Sequence, residues 1–266
     1  MDDLKNLFIG GTSSIISRTA TSPLEIFRLQ RQNPFMPYST INNVIKLEGL
    51  KGLWKGNGTN CIRVFPQYAI NYNIYQRTNR ILNNHNNDNI KNFISGVTSG
   101  IISLAIIFPL ETARTHLSLQ SNKSNYNGIF DVLKKVKFKA YNGLQLSIIG
   151  FPLWNSINMS SYFYYKKYFK SYEINSDIYK LLCGGFAGIT AISVTYPTDL
   201  VKRRLQLQSF DNLNVPKYNG VFDCFKNIIK TEGVIGLYRG LYANYMKTFP
   251  SIAVQFWALE LLRDII

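Results

Sequence analysis

Cysteine, histidine and acidic residues are all scarce in this chain of 266 residues, which has three cysteines, two histidines, and 15 Asp and Glu residues against 30 Lys and Arg residues. The cysteines, Cys61, Cys183 and Cys224, are odd in number and lack the spacing of metal ligands, so we interpret them as reduced thiols and expect no metal site. His85 and His116 are isolated. Without a Ser-His-Asp set, a Cys/His cluster or a glycine-rich phosphate loop, the sequence shows no catalytic machinery, and we expect neither an enzyme nor a cofactor.

The N-terminus lacks both a cleavable secretory signal and an arginine-rich transit peptide, because its first residues include two acids. The net charge of +15 leaves two kinds of partner to consider, nucleic acid or anions beside acidic lipid. No motif that reads nucleic acid accompanies the charge, and basic residues concentrate in the segments that link apolar elements. The charge therefore favours anions at a membrane and no nucleic-acid partner.

Long uncharged stretches occupy residues 92–109, 142–165 and 181–198. The first and third are about as long as the ~18 apolar residues that suggest a membrane span. The mean hydropathy of −0.06 is low for a bundle immersed in lipid. Polar residues inside or beside apolar segments explain this value, because such groups are tolerated in a membrane when they face a protein interior or an aqueous cavity. These residues are Asn71, Asn73, Gln76, Asn155, Asn158 and Ser160. The pattern predicts helices that line water, as in a transporter.

One motif divides the chain into thirds. A proline followed by an acid and then a base recurs at intervals of 86 and 88 residues, as Pro23-Leu-Glu25-x-x-Arg28, Pro109-Leu-Glu111-x-x-Arg114 and Pro197-Thr-Asp199-x-x-Lys202. A second anchor, Phe-Pro, recurs at Pro66, Pro152 and Pro250. Each third therefore holds two hydrophobic elements. We expect repeats over 1–88, 89–175 and 176–266 that together form one transport domain.

These features resemble the mitochondrial carrier family over essentially the whole chain. The resemblance implies an all-α membrane protein of six tilted transmembrane helices in three pseudo-symmetric repeats, with short matrix-side surface helices near 40–48, 127–138 and 219–231. It further implies a multi-pass protein of the mitochondrial inner membrane, with both termini toward the intermembrane space. We expect a monomer.

Acid and base three residues apart share one face of a helix, so they could pair within their own helix or with a neighbour. The resemblance implies a ring that closes the matrix end, built from the pairs Glu25–Arg114, Glu111–Lys202 and Asp199–Arg28. The three motif prolines would turn the helix ends inward. Gln32 and Gln206 resemble the family's glutamine braces, which hydrogen-bond to an ion pair, whereas Ser118 is too short for that role. A second base follows the motif only at Arg204, and Gln30 and His116 occupy the corresponding positions.

The family's second gate, on the even-numbered helices, is poorly matched. Its expected partners here are Gln76–Lys166, Phe163–Arg263 and Glu260–Asn79, none of which is an ion pair. We therefore expect a weak cytoplasmic gate and a resting carrier that is mostly open toward the intermembrane space.

The expected substrate site lies just before the second prolines. Arg63 and Lys247 stand three residues before Pro66 and Pro250, and Gly150-Phe151 supplies the middle contact. Together with Arg18, these residues resemble the adenine-nucleotide, ATP-magnesium/phosphate and coenzyme A group of the family. Basic side chains would bind phosphates, with Gly150 and Phe151 beside a flat base.

The resemblance thus implies an antiporter that exchanges ribo- or deoxyribonucleotide di- and triphosphates by alternating access. A carrier of coenzyme A, phosphate or an amino or keto acid is the alternative. A helical repeat protein that binds acidic partners without transport is more remote.

Turn motifs resemble the family's cardiolipin sites. Gly56, Gly143 and Gly240 end aromatic-x-Gly strings before even-numbered helices, and Gly128 and Gly220 end Tyr-Asn-Gly strings before surface helices. Helix N-termini favour anions, which agrees with lipid phosphate as the ligand, although the same strings also suit ordinary turns. The first repeat has no matching glycine after Tyr38. The basic cluster at 134–139 is expected to face solvent or lipid headgroups.

Overall fold

The computed structural model describes residues 2–33, 41–82, 88–120, 126–169, 176–208 and 216–265. The described residues form helices and turns, without β-strands. The α-helices are α1 (Asp2–Ala20), α2 (Ser22–Gln32), α3 (Ile41–Glu48), α4 (Asn57–Ile62), α5 (Val64–Ile81), α6 (Asp88–Leu119), α7 (Ile129–Val136), α8 (Leu144–Phe169), α9 (Ser176–Leu207), α10 (Val221–Glu232) and α11 (Leu241–Ile265). His85 and Tyr38, which the sequence singled out, lie outside the described residues.

The long helices close into a ring. α1 packs against α11 and α5, α5 packs against α6, α6 against α8, α8 against α9, and α9 against α11. Each proline motif lies where a long helix nears its end, followed by about three more helical turns. Proline interrupts the first of these helices, since Thr21 separates α1 from α2, but α6 and α9 continue through Pro109 and Pro197.

Three short helices lie near the positions that the sequence predicts, namely α3, α7 and α10. Each packs its apolar face against the end of a long helix. In α7, Val132 and Val136 are buried with Ala113 of α6, while Phe130 on another face is 87% exposed. This amphipathic pattern, with Lys134 and Lys135 in the last turn, suits a helix lying at an interface. We call the end of the ring that carries these helices the motif end.

A tight turn follows each short helix. Gly49 and Gly233 take φ values of 70° and 72° there, and Lys137 takes φ 49° after α7. A side chain strains the backbone in this region, which glycine adopts freely. The second repeat therefore holds lysine in a conformation that the other two assign to glycine.

The outer surface of the ring is apolar. Exposed large side chains include Phe93, Ile106, Val194, Phe256 and Trp257. Exposed apolar area on this scale is typical of contact with a partner or lipid. Among the described residues, one helical segment, Ile90–Leu119, is both long and apolar enough to cross a bilayer by composition alone.

Candidate functional site

Acids and bases of the repeated motif form a ring of ion pairs at the motif end. The pairs are Glu25–Arg114 at 2.6 Å, Glu111–Lys202 at 2.9 Å and Arg28–Asp199 at 2.5 Å. They join α2 to α6, α6 to α9 and α9 to α2. These are the three partnerships that the sequence analysis expected between helices. We call these six residues the ion-pair ring.

The three carboxylates of the ion-pair ring differ in their number of cationic neighbours and in their exposure to solvent. Glu25 also contacts Arg28 of its own helix at 3.6 Å, and its side chain is only 7% exposed. Asp199 pairs with Arg28 alone among the described residues, and its side chain is 33% exposed. Because solvent screens an ion pair, the link between α2 and α9 is the weakest electrostatically.

Two of the cations assigned to substrate binding are engaged by this ring. The Lys247 ammonium lies 2.8 Å from Glu25, and the Arg63 guanidinium lies 3.8 Å from Glu111. The sequence analysis expected these groups to be available to phosphate. In this conformation they instead pair with carboxylates of the ring, because α11 and the break between α4 and α5 bring them to the same level as the motif. A phosphate that binds them would compete with these carboxylates.

Arg203 is a further cation that contacts the ion-pair ring and that the sequence analysis missed. Its guanidinium lies 3.2 Å from Glu111 and donates hydrogen bonds to Thr115 Oγ1 and Gln206 Oε1, each at 3.1 Å. In the repeated motif the bases follow the acid by three and five residues, and these positions after Asp199 are Lys202 and Arg204. A base four residues after an acid also lies near its face of a helix, and that spacing was the available signal.

The two predicted glutamine braces are both fully buried but have different partners. Gln206 bonds to Arg203 and so reaches the ring through this extra cation. Gln32 donates to the Tyr196 hydroxyl at 3.2 Å, and this hydroxyl donates to the backbone oxygen of Arg239 at 2.8 Å. The expected bond from Gln32 to an ion pair is replaced by this link between α2, α9 and the turn before α11.

The second base of the motif anchors a short helix. Arg204 makes a two-oxygen contact with Glu232 of α10 at 2.6 and 2.9 Å, and Arg239 approaches the same carboxylate at 3.3 Å. Burial alone would raise the pKa of Glu232, but these two guanidinium groups hold it below its ordinary value. At the corresponding position of the second repeat, the His116 ring lies 3.0 Å from a backbone oxygen of α9. Gln30, the third equivalent, is also buried.

A cavity of about 400 Å³ opens above the ion-pair ring. Its lining combines cations, hydroxyl groups and apolar side chains from α8, α9 and α11, with one residue each from α2 and α6. The lining residues include Arg28, Gly150, Phe151, Trp154, Lys202 and Lys247. Asp199 also lies in the wall, so the floor of the cavity is formed by part of the ring itself.

Three of the five predicted substrate residues, Gly150, Phe151 and Lys247, line this cavity. Arg63 and Arg18 lie outside its lining. Arg18 donates to Asn60 Oδ1 at 2.7 Å and to a serine one turn earlier on α1. The structure therefore brings the second and third contact points together and leaves the first on the other side of the interior.

Trp154 is the second residue that the sequence analysis missed. It lies one turn beyond Gly150 on the same face of α8 and lines the cavity. Phe151 is 38% exposed and its ring packs so closely on Gly100 that a Cβ there would lie 2.5 Å from it. A Cβ on Gly150 would meet only Thr198 Oγ1, at 3.4 Å. The open space beside Gly150 and the indole of Trp154 therefore belong to the same cavity as the cations Lys202 and Lys247.

Among the described residues, the end of the helix ring opposite the motif end has none of the three pairs that the sequence analysis expected. The five candidates there are Gln76, Asn79, Lys166, Glu260 and Arg263. Gln76 donates to Tyr72 of its own helix at 3.1 Å, and Asn79 donates to Asn92 at 3.3 Å. Lys166, Glu260, Arg263 and Phe163 are exposed, and within the described residues none of these groups pairs across the ring. Within the described residues, ion pairs thus join the helices at the motif end, whereas hydrogen bonds such as that between Asn79 and Asn92 join them at the opposite end.

Three of the glycines assigned to lipid binding serve as close contacts between repeats. Gly56, Gly143 and Gly240 have φ values of 76°, 87° and 84°. A Cβ at Gly56 would lie 2.1 Å from Ser118 Oγ, and one at Gly240 would lie 3.1 Å from Gln32. These turns therefore need glycine both for conformation and for space.

Gly128 and Gly220 differ from those three, because a Cβ at either would meet nothing within 4 Å. The backbone N–H groups just before them donate to Asp131 and Asp223, each at 2.9 Å. Open space beside a helix N-terminus is compatible with an anion, but each N-terminus already holds one carboxylate.

Comparison with known proteins agrees with this geometry. The family model of mitochondrial carrier proteins matches three times, at residues 2–86, 85–173 and 175–266. The mitochondrial adenine nucleotide transporter of Arabidopsis thaliana is 32% identical over 98% of this chain and 87% of its own length. The mitochondrial substrate carrier family protein P of Dictyostelium discoideum is 30% identical over 96% and 92%, respectively.

The mitochondrial adenyl nucleotide antiporter of Homo sapiens is 28% identical over 98% of this chain, which spans 58% of that relative's length. Triplicate matches cover nearly the whole sequence, and the ion-pair ring uses one motif from each of them. The chain belongs to the mitochondrial carrier family.

Proposed function

We propose that this protein is an antiporter of the mitochondrial inner membrane that exchanges adenine nucleotides by alternating access. The observation that carries the proposal is the cavity, which is lined both by the indole of Trp154 and by cations, two of which, Arg28 and Lys202, belong to the ion-pair ring. Nucleotides combine a flat base with clustered negative charge, so they match both parts of this lining. Relatives with similar sequences are named as transporters or antiporters of adenine nucleotides.

The six long helical units, α1–α2, α4–α5, α6, α8, α9 and α11, each cross the membrane in this proposal. They are organised in repeats 1–88, 89–175 and 176–266. Only Ile90–Leu119 passes a test based on apolar composition, among the residues that the structure describes. Helices that line an aqueous cavity have polar faces, which lowers their mean hydropathy without removing them from the bilayer. The apolar outer surface supports this arrangement.

Binding and gating use the same side chains. Lys247 and Arg63 pair with Glu25 and Glu111 before substrate arrives. Phosphate oxygens replace these carboxylates as partners, while the base lies against Trp154. Loss of two supporting cations weakens the ring and allows the motif end to open. Arg18 provides a further cation for the phosphates from the opposite wall.

The described conformation corresponds to a carrier that is closed toward the matrix and open toward the intermembrane space, with both termini in the latter compartment. The lack of ion pairs at the opposite end, among the residues that the structure describes, supports a weak cytoplasmic gate. The protein acts as a monomer and does not act as an enzyme or bind nucleic acid. Cardiolipin phosphates bind beside Gly128 and Gly220, where the structure leaves space, next to the turns at Gly56, Gly143 and Gly240.

Exchange in liposomes tests this function. Purified protein is reconstituted, the vesicles are loaded with one nucleotide, and uptake of labelled adenine nucleotides, deoxyadenine nucleotides, coenzyme A and phosphate is measured. We expect Lys247→Ala and Arg63→Ala each to raise KM for the nucleotide and to slow exchange, because each removes one cation for the phosphates. Trp154→Ala should raise KM for the nucleotide, and Trp154→Phe should restore it because an aromatic face remains. Lys51→Ala, at an exposed position outside the cavity and both gates, is the matched control. Unchanged kinetics in the first three variants would contradict the proposed contacts.

A further inference from the structure

The interior of the ring has a large excess of positive charge. Among the described residues, seven cationic side chains and three carboxylates meet between the cavity and the motif end. The cations are Arg18, Arg28, Arg63, Arg114, Lys202, Arg203 and Lys247, and the acids are Glu25, Glu111 and Asp199. Buried charge of one sign is costly unless a partner neutralises it. The arrangement therefore requires an anion of high charge.

Each of the three carboxylates is already bonded to cations. Glu111 lies within 3.8 Å of Lys202, Arg203 and Arg63, and the nearest of these is 2.9 Å away. A carboxylate in this state is a poor acceptor for a second, competing cation, because the incoming charge is repelled by the groups that already hold it.

The charged side chains that line the cavity are three cations and one carboxylate, Asp199, which is paired with Arg28. Lys247, Lys202 and Arg28 line it directly and present ammonium and guanidinium groups to any phosphate inside. Magnesium on a nucleotide occupies the same phosphate oxygens that such donors would bind, and it retains several waters that need acceptors. Bound magnesium would thus both remove the negative charge that the interior requires and place a cation beside three others.

From this charge distribution we infer that the carrier selects the magnesium-free form of its nucleotide. The inference rests on the proposed function and narrows it, since the sequence resemblance covers carriers of free nucleotides and of their magnesium complexes alike. A metal-free nucleoside triphosphate has about four negative charges, which is comparable to the excess of cations in the interior. Magnesium binding would halve that charge.

The experiment measures nucleotide exchange in liposomes at a fixed total concentration of ATP below KM. Magnesium is titrated at constant ionic strength, and the concentration of free ATP is measured in each sample. We expect the initial rate to follow free rather than total ATP, so that it falls about tenfold when nine-tenths of the nucleotide is complexed. Addition of EDTA should restore the original rate. Potassium chloride at matched ionic strength is the control for screening.

A variant with less interior charge tests the stated cause. Lys247→Gln removes one cation that lines the cavity, and the ratio of the rate with free ATP to the rate with magnesium-bound ATP should fall. Lys51→Gln removes an exposed charge outside the cavity and both gates and should leave this ratio unchanged. A rate that rises with magnesium, or that follows total ATP, would overturn the inference while leaving nucleotide exchange established. Absence of exchange in every condition would overturn the proposed function itself.

Discussion

Replacing Glu25 with glutamine should open the motif end of this carrier more strongly than any equivalent change at Asp199. Glu25 lies within 3.6 Å of three cations, Arg28, Arg114 and Lys247, and its side chain is almost fully buried. Glutamine preserves the size of the side chain but removes the charge. Three buried cations would then remain close together without their shared carboxylate.

The structure gives the size of this effect. Breaking a buried ion pair by removing one partner costs about 3–5 kcal/mol. Asp199 has one ion-pair partner among the described residues and is a third exposed, so Asp199→Asn should cost only about 1 kcal/mol. The closed state thus loses at least ~2 kcal/mol more in Glu25→Gln, which corresponds to ~30-fold in the ratio of closed to open carrier.

Access to the cavity from each side is the appropriate measurement. The three natural cysteines are removed, and Thr248, which lines the cavity, is replaced with cysteine. A membrane-impermeant maleimide is then added to oriented vesicles from one side or the other. The parent should react from the intermembrane-space side. Glu25→Gln should add rapid reaction from the matrix side, and Asp199→Asn should add much less.

Glu260→Gln is the matched control, because this carboxylate is exposed at the opposite end and is in no ion pair of the described structure. A larger increase in matrix-side reaction for Asp199→Asn than for Glu25→Gln would refute the reasoning that the number of cations around each carboxylate determines how tightly the gate closes. Equal reaction from both sides in the parent would contradict the proposed resting state.

Two further predictions concern stability in detergent, measured by thermal unfolding. Lys137→Gly should stabilise the protein by about 1 kcal/mol, since lysine occupies a positive-φ position at 49° that glycine fills in the other repeats, and no increase in Tm would contradict this strain. Gly56→Ala should lower Tm more than Gly128→Ala, because both have positive φ but only the first would bring a Cβ against Ser118 Oγ; equal losses would mean that backbone conformation alone matters.

The ion-pair partners could be predicted from sequence because threefold repetition restricts them. An acid and a base on one helix face, repeated at nearly constant spacing, leave few arrangements in which three helices meet at one level. The family resemblance then selected pairing between helices. The short helices were predicted only through the family resemblance, which implies one of them in each repeat.

The contacts of Lys247 and Arg63 with the ring could not be predicted in the same way. They depend on the axial position of one helix relative to another, which spacing along a single helix does not specify. Gln32 shows the same limit, because its partner Tyr196 lies on α9 and was outside the motif under consideration. Trp154, by contrast, was accessible from sequence through its i+4 relation to Gly150.

Differences between the three repeats explain why the cavity is lined by both cations and an indole. Symmetric repeats alone would build a site with three equal walls, whereas a nucleotide has one charged end and one flat end. Here the third repeat supplies Arg203, for which the second repeat has Thr115, and the second repeat supplies Gly150 and Trp154 where the third has Lys247. Cations and indole consequently come from different helices that line the cavity. We therefore expect a mutation that makes the repeats alike at these positions to reduce the carrier's selectivity for nucleotides before it disrupts the ion-pair ring. A mutation that only removes charge should not separate the two effects in this way.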